Sequence, residues 1–234
     1  MSSSSYGTYS DEYCCEHDCS RNSHSTITLN QFNSIMPIEF VDTKLDLRPI
    51  TPEFISVVES TVSKAKLINR IFRGQSKAVR RIHIDTILIA FVQLLDLPWS
   101  IFPEEKTEMC SPVFKGGQVD YLIRDSSLQL KTTRVMVIES KPILPDGEVN
   151  ILNEYGGQLC SQMYSISNSG RQVVWGALTD GERWLFCKLI VIGLDKSDGM
   201  LHTKLHTVSF TDNVEDTILT LLSVADSIIE ERKC

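Results

Sequence analysis

Gly116-Gly117-Gln118-Val119-Asp120 and Val135-Met136-Val137-Ile138-Glu139-Ser140-Lys141 begin and end one stretch, residues 116–141, on which the reading of this chain turns. The apolar runs from Val119 to Arg124 and from Arg134 to Lys141 predict two strands, with Asp125-Ser126-Ser127 as a turn after the first. Eighteen residues lie between Asp120 and Glu139. Side chains alternate faces along a strand, so Glu139 and Lys141 share one face and Ser140 takes the other. An acid and a base at the end of a buried strand, near a second carboxylate, form a candidate site. The same residues also suit an ion pair on an exposed sheet face, with Asp120 unrelated.

Upstream, Pro112-Val113-Phe114 predicts a short strand. Thr51-Pro52-Glu53 reads as a helix start, with Thr51 as N-cap, Pro52 in the first turn and Glu53 near the positive end of the dipole. Phe54, Val58, Val62, Ala65, Ile68 and Phe72 then recur at spacings of three and four, which predicts one buried helix face. At 100° per residue, Glu59, Lys66, Arg70 and Arg73 gather on a neighbouring face. Gly74 ends or kinks that helix. Residues 77–96 predict a second helix, basic at its start and apolar later. Residues 27–50 read as loop or edge strand.

Downstream, a loop with Pro142, Pro145 and Gly147 leads to a helix over 153–167. Its Gly156-Gly157 pair lowers helix propensity and permits close backbone packing. Strands are expected at 172–178, 183–192 and 201–210, with a turn at Thr179-Asp180-Gly181-Glu182. The stripe Val214, Ile218, Leu221, Leu222, Ala225, Ile228 and Ile229 marks a final helix. Without an internal repeat, the simplest account is one α/β domain over 27–234.

The 234 residues are 42% hydrophobic and 23% charged, ordinary for a globular protein. No run approaches the ~18 apolar residues needed to cross a bilayer. Met1-Ser2-Ser3-Ser4-Ser5 lacks the features of a secretory signal, so the expected location is intracellular, in nucleus or cytoplasm, away from membranes. Cys14, Cys15 and Cys19 bracket His17, but no second pair follows at a finger-like distance. Residues 1–26 are therefore expected to be a disordered, Ser-rich tail. Cys160 and Cys187 suit reduced, buried thiols, and Trp99, Trp175 and Trp184 suit packing positions.

The net charge of −7 argues against a general nucleic-acid binder. Locally, residues 60–83 carry Lys64, Lys66, Arg70, Arg73, Lys77, Arg80 and Arg81 with no acid. Lys66, Arg70 and Arg73 are candidates to grip phosphates without reading sequence; a solvated helix face is the alternative. Hydrolysis of an anionic phosphodiester needs its charge offset and a water made nucleophilic. Mg²⁺ or Mn²⁺ does both and prefers oxygen ligands. Asp120, Glu139 and the Ser140 carbonyl can supply those ligands, and Lys141 can orient the water.

This ordering resembles the PD-(D/E)XK nuclease superfamily. Gly117-Gln118-Val119-Asp120 is similar to its Gly-x-hydrophobic-Asp signature, and Glu139-Ser140-Lys141 to its Glu-x-Lys. The resemblance implies a restriction-endonuclease-like core over about 52–178, a central mixed sheet flanked by helices, with an added C-terminal hairpin and helix. It implies that Gln158 on the following helix supports the site. It also implies an acid on the first helix, for which Glu59 beside its basic neighbours is the match and Glu53 the alternative. Leu178-Thr179-Asp180-Gly181 with Trp184 resembles the hairpin of type I restriction-like and Crinkler-effector-like branches. One departure stands out: some branches carry Gln-x-x-x-Tyr, whereas this chain has Gln158 and Gln162, with Tyr164 two places on. The expected activity is metal-dependent hydrolysis of DNA. The alternative is a catalytically silent nuclease-fold module that binds nucleic acid or protein as an effector.

Overall fold

The structure, a computed structural model, describes residues 27–72, 74, 76–95, 98–107, 117–125, 135–167, 173–194 and 201–231. The N-terminal tail with its Cys14, Cys15, His17 and Cys19, the Pro112–Phe114 segment, Arg73 and the turn residues Ser126 and Ser127 lie outside them.

Helix α2 (Pro52–Ile71) starts as its sequence dictates: the Thr51 hydroxyl accepts from the Phe54 amide at 3.2 Å and Pro52 occupies the first turn. Phe54, Val57, Val58, Thr61 and Ile68 are buried. Phe72, expected on that buried stripe, is instead 41% exposed, because the helix has ended and Phe72 is its extended C-cap. Gly74, at φ +95, lets the chain reverse in the left-handed region with open space around it. Ser76 then caps α3 (Lys77–Leu94) by accepting from the Val79 amide.

The described strands form a seven-stranded mixed sheet in the order β1 (Ile38–Asp42), β9 (Leu201–Thr211), β8 (Trp184–Leu194), β7 (Val173–Thr179), β6 (Val135–Ser140), β5 (Tyr121–Asp125) and β2 (Trp99–Pro103), and a separate two-stranded ladder joins β3 (Lys106–Thr107) to β4 (Gly117–Gln118). At its centre, β5 (Tyr121–Asp125) runs antiparallel to β6 (Val135–Ser140), and β6 runs parallel to β7 (Val173–Thr179). A parallel pair needs a long crossover. Here it is helical from Glu148 to Ser167: α4 (Glu148–Ile151), a π turn (Leu152–Gly156) and α5 (Gly157–Ser167). The helical start therefore lies five residues before the expected Asn153. β8 (Trp184–Leu194) and β9 (Leu201–Thr211) make a long hairpin beyond β7, and α6 (Val214–Glu230) follows.

Two pieces exceed the sequence reading. The 27–50 segment is not only loop and edge strand: it contains α1 (Leu29–Ile35), with a Thr28–Gln31 capping box, before the edge strand β1 (Ile38–Asp42). At the opposite edge, β2 (Trp99–Pro103) pairs with β5. An edge position tolerates the proline that closes it.

Alternation along the strands divides the core between two faces. Tyr121, Ile123, Met136, Ile138 and Trp184 pack under α2, α3 and α6. Leu122, Val137, Val174, Leu178 and Cys187 pack under α1 and α5. The three tryptophans are buried as packing residues, Trp99 edge-on to Phe91 at 6.2 Å and Trp184 stacked on Phe186 at 5.9 Å. Gly157 lets α5 seat against α1: a Cβ there would lie 2.2 Å from the carbonyl carbon of Thr28. Among the described residues, no helix is long and apolar enough to cross a membrane.

Candidate functional site

Glu139 shares the parity of Val137, so its side chain leaves β6 on the α5 face. There it is 6% exposed, and Lys141, one residue beyond the strand, is 8% exposed. The Lys141 Nζ donates to Glu139 Oε1 at 3.0 Å and to Gln158 Oε1. Gln158 Nε2 donates back to Glu139 Oε1 at 2.6 Å, closing a triangle of three side chains. The Lys141 ammonium also sits 5.2 Å from the ring centroid of Tyr155. That phenol is pushed up to about 12 by its hydrogen bond to Glu154 and by burial.

Asp120 precedes β5 and joins this cluster through the backbone. Its Oδ2 accepts from the Ser140 amide at 2.9 Å, in the place a continued β5–β6 ladder would occupy. The Lys141 amide bonds the other way, to the Thr179 carbonyl at 2.7 Å. Successive residues of a strand turn their backbone groups to opposite neighbours, so the Ser140 carbonyl shares the side of its amide, toward Asp120. Burial holds the Glu139 carboxyl above its ordinary range; the Lys141 ammonium opposes this and the Asp120 charge adds to it.

Of the expected residues, Asp120, Glu139, Ser140, Lys141 and Gln158 are thus brought together in direct contact. Glu59, Lys66 and Arg70 lie exposed on α2, and among the described residues no hydrogen bond or ion pair ties them to the cluster. The cations that do reach it come from α3: Lys77 Nζ is 3.8 Å and Arg81 Nη2 3.6 Å from Asp120 Oδ1. Both belong to the basic run read from sequence, but helical spacing alone drew attention to its α2 half.

No known family model matches this sequence, and no curated protein matches it.

Gln162 is the other unforeseen member. One turn after Gln158 on α5, it donates from Nε2 to Glu139 Oε2 at 2.8 Å and, at 3.4 Å, to the Gln118 carbonyl. The spacing of four that puts both glutamines on one helix face was the available signal. Its Oε1 is buried without a hydrogen-bond partner, in a residue 1% exposed. A buried acceptor left unmade costs about 1–3 kcal/mol, which favours a donor from outside the chain. The Ser140 hydroxyl is also buried without a partner.

Among the described residues, no three His, Cys, Asp or Glu side chains converge. The local donors are two carboxylates, a backbone carbonyl and an unfilled amide oxygen, all hard oxygen atoms. Mg²⁺ is commonly held by one or two carboxylates and retained waters. The donor set therefore suits Mg²⁺ or Mn²⁺, and among the described residues it offers no thiol or imidazole for a softer ion.

Behind the cluster lies a charged clasp. Asp180, 7% exposed, accepts from the Leu144, Glu182 and Arg183 amides at 3.0, 3.1 and 2.9 Å, and from the Arg183 guanidinium. Arg183 also reaches the Leu144 carbonyl. The clasp fixes the chain leaving Lys141 against the β7–β8 turn.

Proposed function

We propose that this chain is a metal-dependent nuclease of PD-(D/E)XK type that hydrolyses phosphodiester bonds in DNA. One observation carries the reading: Asp120, Glu139, Lys141 and Gln158, dispersed over 39 residues, meet in one hydrogen-bonded and charge-coupled cluster at the ends of adjacent strands. The path of the chain supports it. Helix α2, then β2, β5 and β6 in antiparallel sequence, then α5, then β7 parallel to β6, follows the order expected of a restriction-endonuclease-like core. The first strand of that core is β2 in this reading, upstream of the Pro112–Phe114 segment.

Asp120, Glu139 and the Ser140 carbonyl would hold Mg²⁺ or Mn²⁺. Such an ion, when bound, offsets phosphodiester charge and lowers the pKa of a water. The remaining roles belong to the chain. Glu139 fixes the Lys141 ammonium, which has three donors and spends two on Glu139 and Gln158. The third is left for the attacking water or a phosphate oxygen. Gln158 restrains both partners, and Gln162 fixes the second oxygen of Glu139.

The direct test is cleavage of single-stranded DNA, double-stranded DNA and RNA in Mg²⁺ and in Mn²⁺. Wild type is expected to cut DNA, while Asp120→Asn and Lys141→Ala lose at least about a hundredfold in rate. Undiminished cleavage by both variants would sink the assignment.

A second reading, a nuclease fold kept as a silent binding or effector module, draws on the crowding of the cluster. Both Glu139 oxygens already accept hydrogen bonds, and Asp120 faces two cations. It predicts no cleavage on any of these substrates, with binding that survives Glu139→Gln.

A further inference from the structure

The two oxygens of Asp120 keep different company. Oδ2 takes a fixed backbone hydrogen bond from Ser140, whereas Oδ1 faces Lys77 and Arg81 at 3.8 and 3.6 Å, longer than hydrogen-bond contact. Lys77 is the first residue of α3, where the helix dipole adds further positive charge, and its side chain is 62% exposed. Neither cation is held by Asp120 at hydrogen-bond distance, and Arg81 takes its close contact from Glu104 instead. Loose pairs of this kind exchange readily.

Arg81 has a second anchor. Its guanidinium donates to Glu104 at 2.5 Å. Glu104 is the one non-glycine residue with positive φ, +53, among the described residues. That left-handed turn is pinned beside the site, since the Glu104 amide donates to the Asp120 carbonyl at 2.9 Å and its own carbonyl accepts from Gln118 Nε2 at 2.9 Å. Arg81 released from Asp120 would therefore remain at the site, while Lys77 would be free to swing.

We infer that Lys77 and Arg81 form a seat for a DNA phosphate, which Asp120 keeps occupied until a divalent cation takes their place. The inference rests on the nuclease reading of the Asp120–Glu139 cluster and adds its regulation. With a divalent ion on Asp120, Lys77 would swing to an incoming phosphate and Arg81, still anchored on Glu104, would meet it in place. Metal and DNA thereby bind with positive coupling. In the metal-free chain the seat is closed.

Two binding measurements on the full chain test this without reference to turnover. Calorimetric titration with MnCl₂ comes first. Lys77→Gln/Arg81→Gln, lacking the resident competitors, is expected to bind Mn²⁺ about fivefold more tightly than wild type. Glu104→Gln, which leaves Arg81 to Asp120 alone, is expected to bind it more weakly. The second measurement is fluorescence anisotropy of a labelled DNA duplex in Ca²⁺ across a range of NaCl. The double variant is expected to bind DNA more weakly, with a slope of log affinity against log salt smaller by about 2. Tighter metal binding combined with weaker DNA binding is the signature, because a merely structural loss weakens both. Unchanged Mn²⁺ affinity in the double variant, or an unchanged salt slope, overturns the inference. Asp120→Asn separates the two levels: if Mn²⁺ binding does not depend on Asp120, the nuclease reading falls and takes the seat with it. If it does and the double variant behaves as wild type, only the seat falls.

Discussion

Two buried carboxylates stand at the ends of adjacent parallel strands, Glu139 on β6 and Asp180 just past β7, and the chain treats them differently. Asp180 receives three backbone amides and a guanidinium. Its partners are fixed by the course of the main chain, and its work is to hold a turn. Glu139 receives only side chains, Lys141, Gln158 and Gln162, the last with an unfilled oxygen. Side chains can rearrange around an incoming group where backbone amides cannot. Asp180, held by backbone, serves the turn, whereas Glu139, held by side chains, can exchange its partners.

The largest effect expected from this contrast is on the clasp. Asp180→Ala leaves three amides and Arg183 without their acceptor and is expected to cost about 3 kcal/mol in urea denaturation. A loss below about 1 kcal/mol would show that the clasp is not holding the turn.

Next comes the seat of α5. Gly157→Ala must push against backbone, since the nearest atoms are the Thr28 carbonyl group and the Ile27 oxygen. The expected cost is about 2 kcal/mol, and displacement of Gln158 should lower the proposed cleavage while the Asp180 clasp stays intact. Amide hydrogen exchange at Leu144 reads the clasp directly, and faster exchange there in this variant would show that the two regions are not separable.

A smaller effect concerns charge. Asp120 helps to hold the Glu139 carboxyl up, so Asp120→Asn is expected to lower its pKa, as followed by carboxyl NMR. The sign for stability follows. A raised folded-state pKa contributes stability at low pH that is lost as pH rises through it. The variant should therefore lose less stability than wild type as pH rises above the ordinary carboxylate range. A rise in the Glu139 pKa would contradict the assigned cause.

The smallest concerns His83, which packs so close to the Gly181 turn that a Cβ at Gly181 would lie 3.3 Å from its own. Burial lowers its pKa. The neutral ring is then preferred in the fold, and stability present above about pH 6.5 is lost as pH falls. His83→Asn should flatten that decline, and an equally steep decline would assign the loss to other groups.

Much of this was legible beforehand. Period-two alternation placed Glu139 and Lys141 on one face, and the apolar run fixed their strand. Thr51-Pro52 located α2, and Gly157 announced a close approach. Three things were not legible. β2 is five residues ending in proline, and edge pairing supplies what its own sequence does not. Gln162 was visible at the right spacing, but only the fold shows that Glu139 has a second oxygen to be held. The basic run was seen, yet a helical wheel places Lys66 and Arg70 beside Glu59 and is silent on which helix meets Asp120. The turn around Gly74 decides that, by bringing the start of α3 over the strand ends.

The π turn at Leu152–Gly156 has one more consequence. Relative to an uninterrupted α-helix, a π turn accommodates one extra residue, and each residue is worth about 100° of rotation. Without that residue, everything upstream could stay in place while Gln158 and Gln162 swung about a quarter-turn from Glu139. The turn is a phase-setter: a single inserted residue decides which side of the crossover helix looks into the site. Deleting one residue from this segment would re-aim the helix without altering its composition.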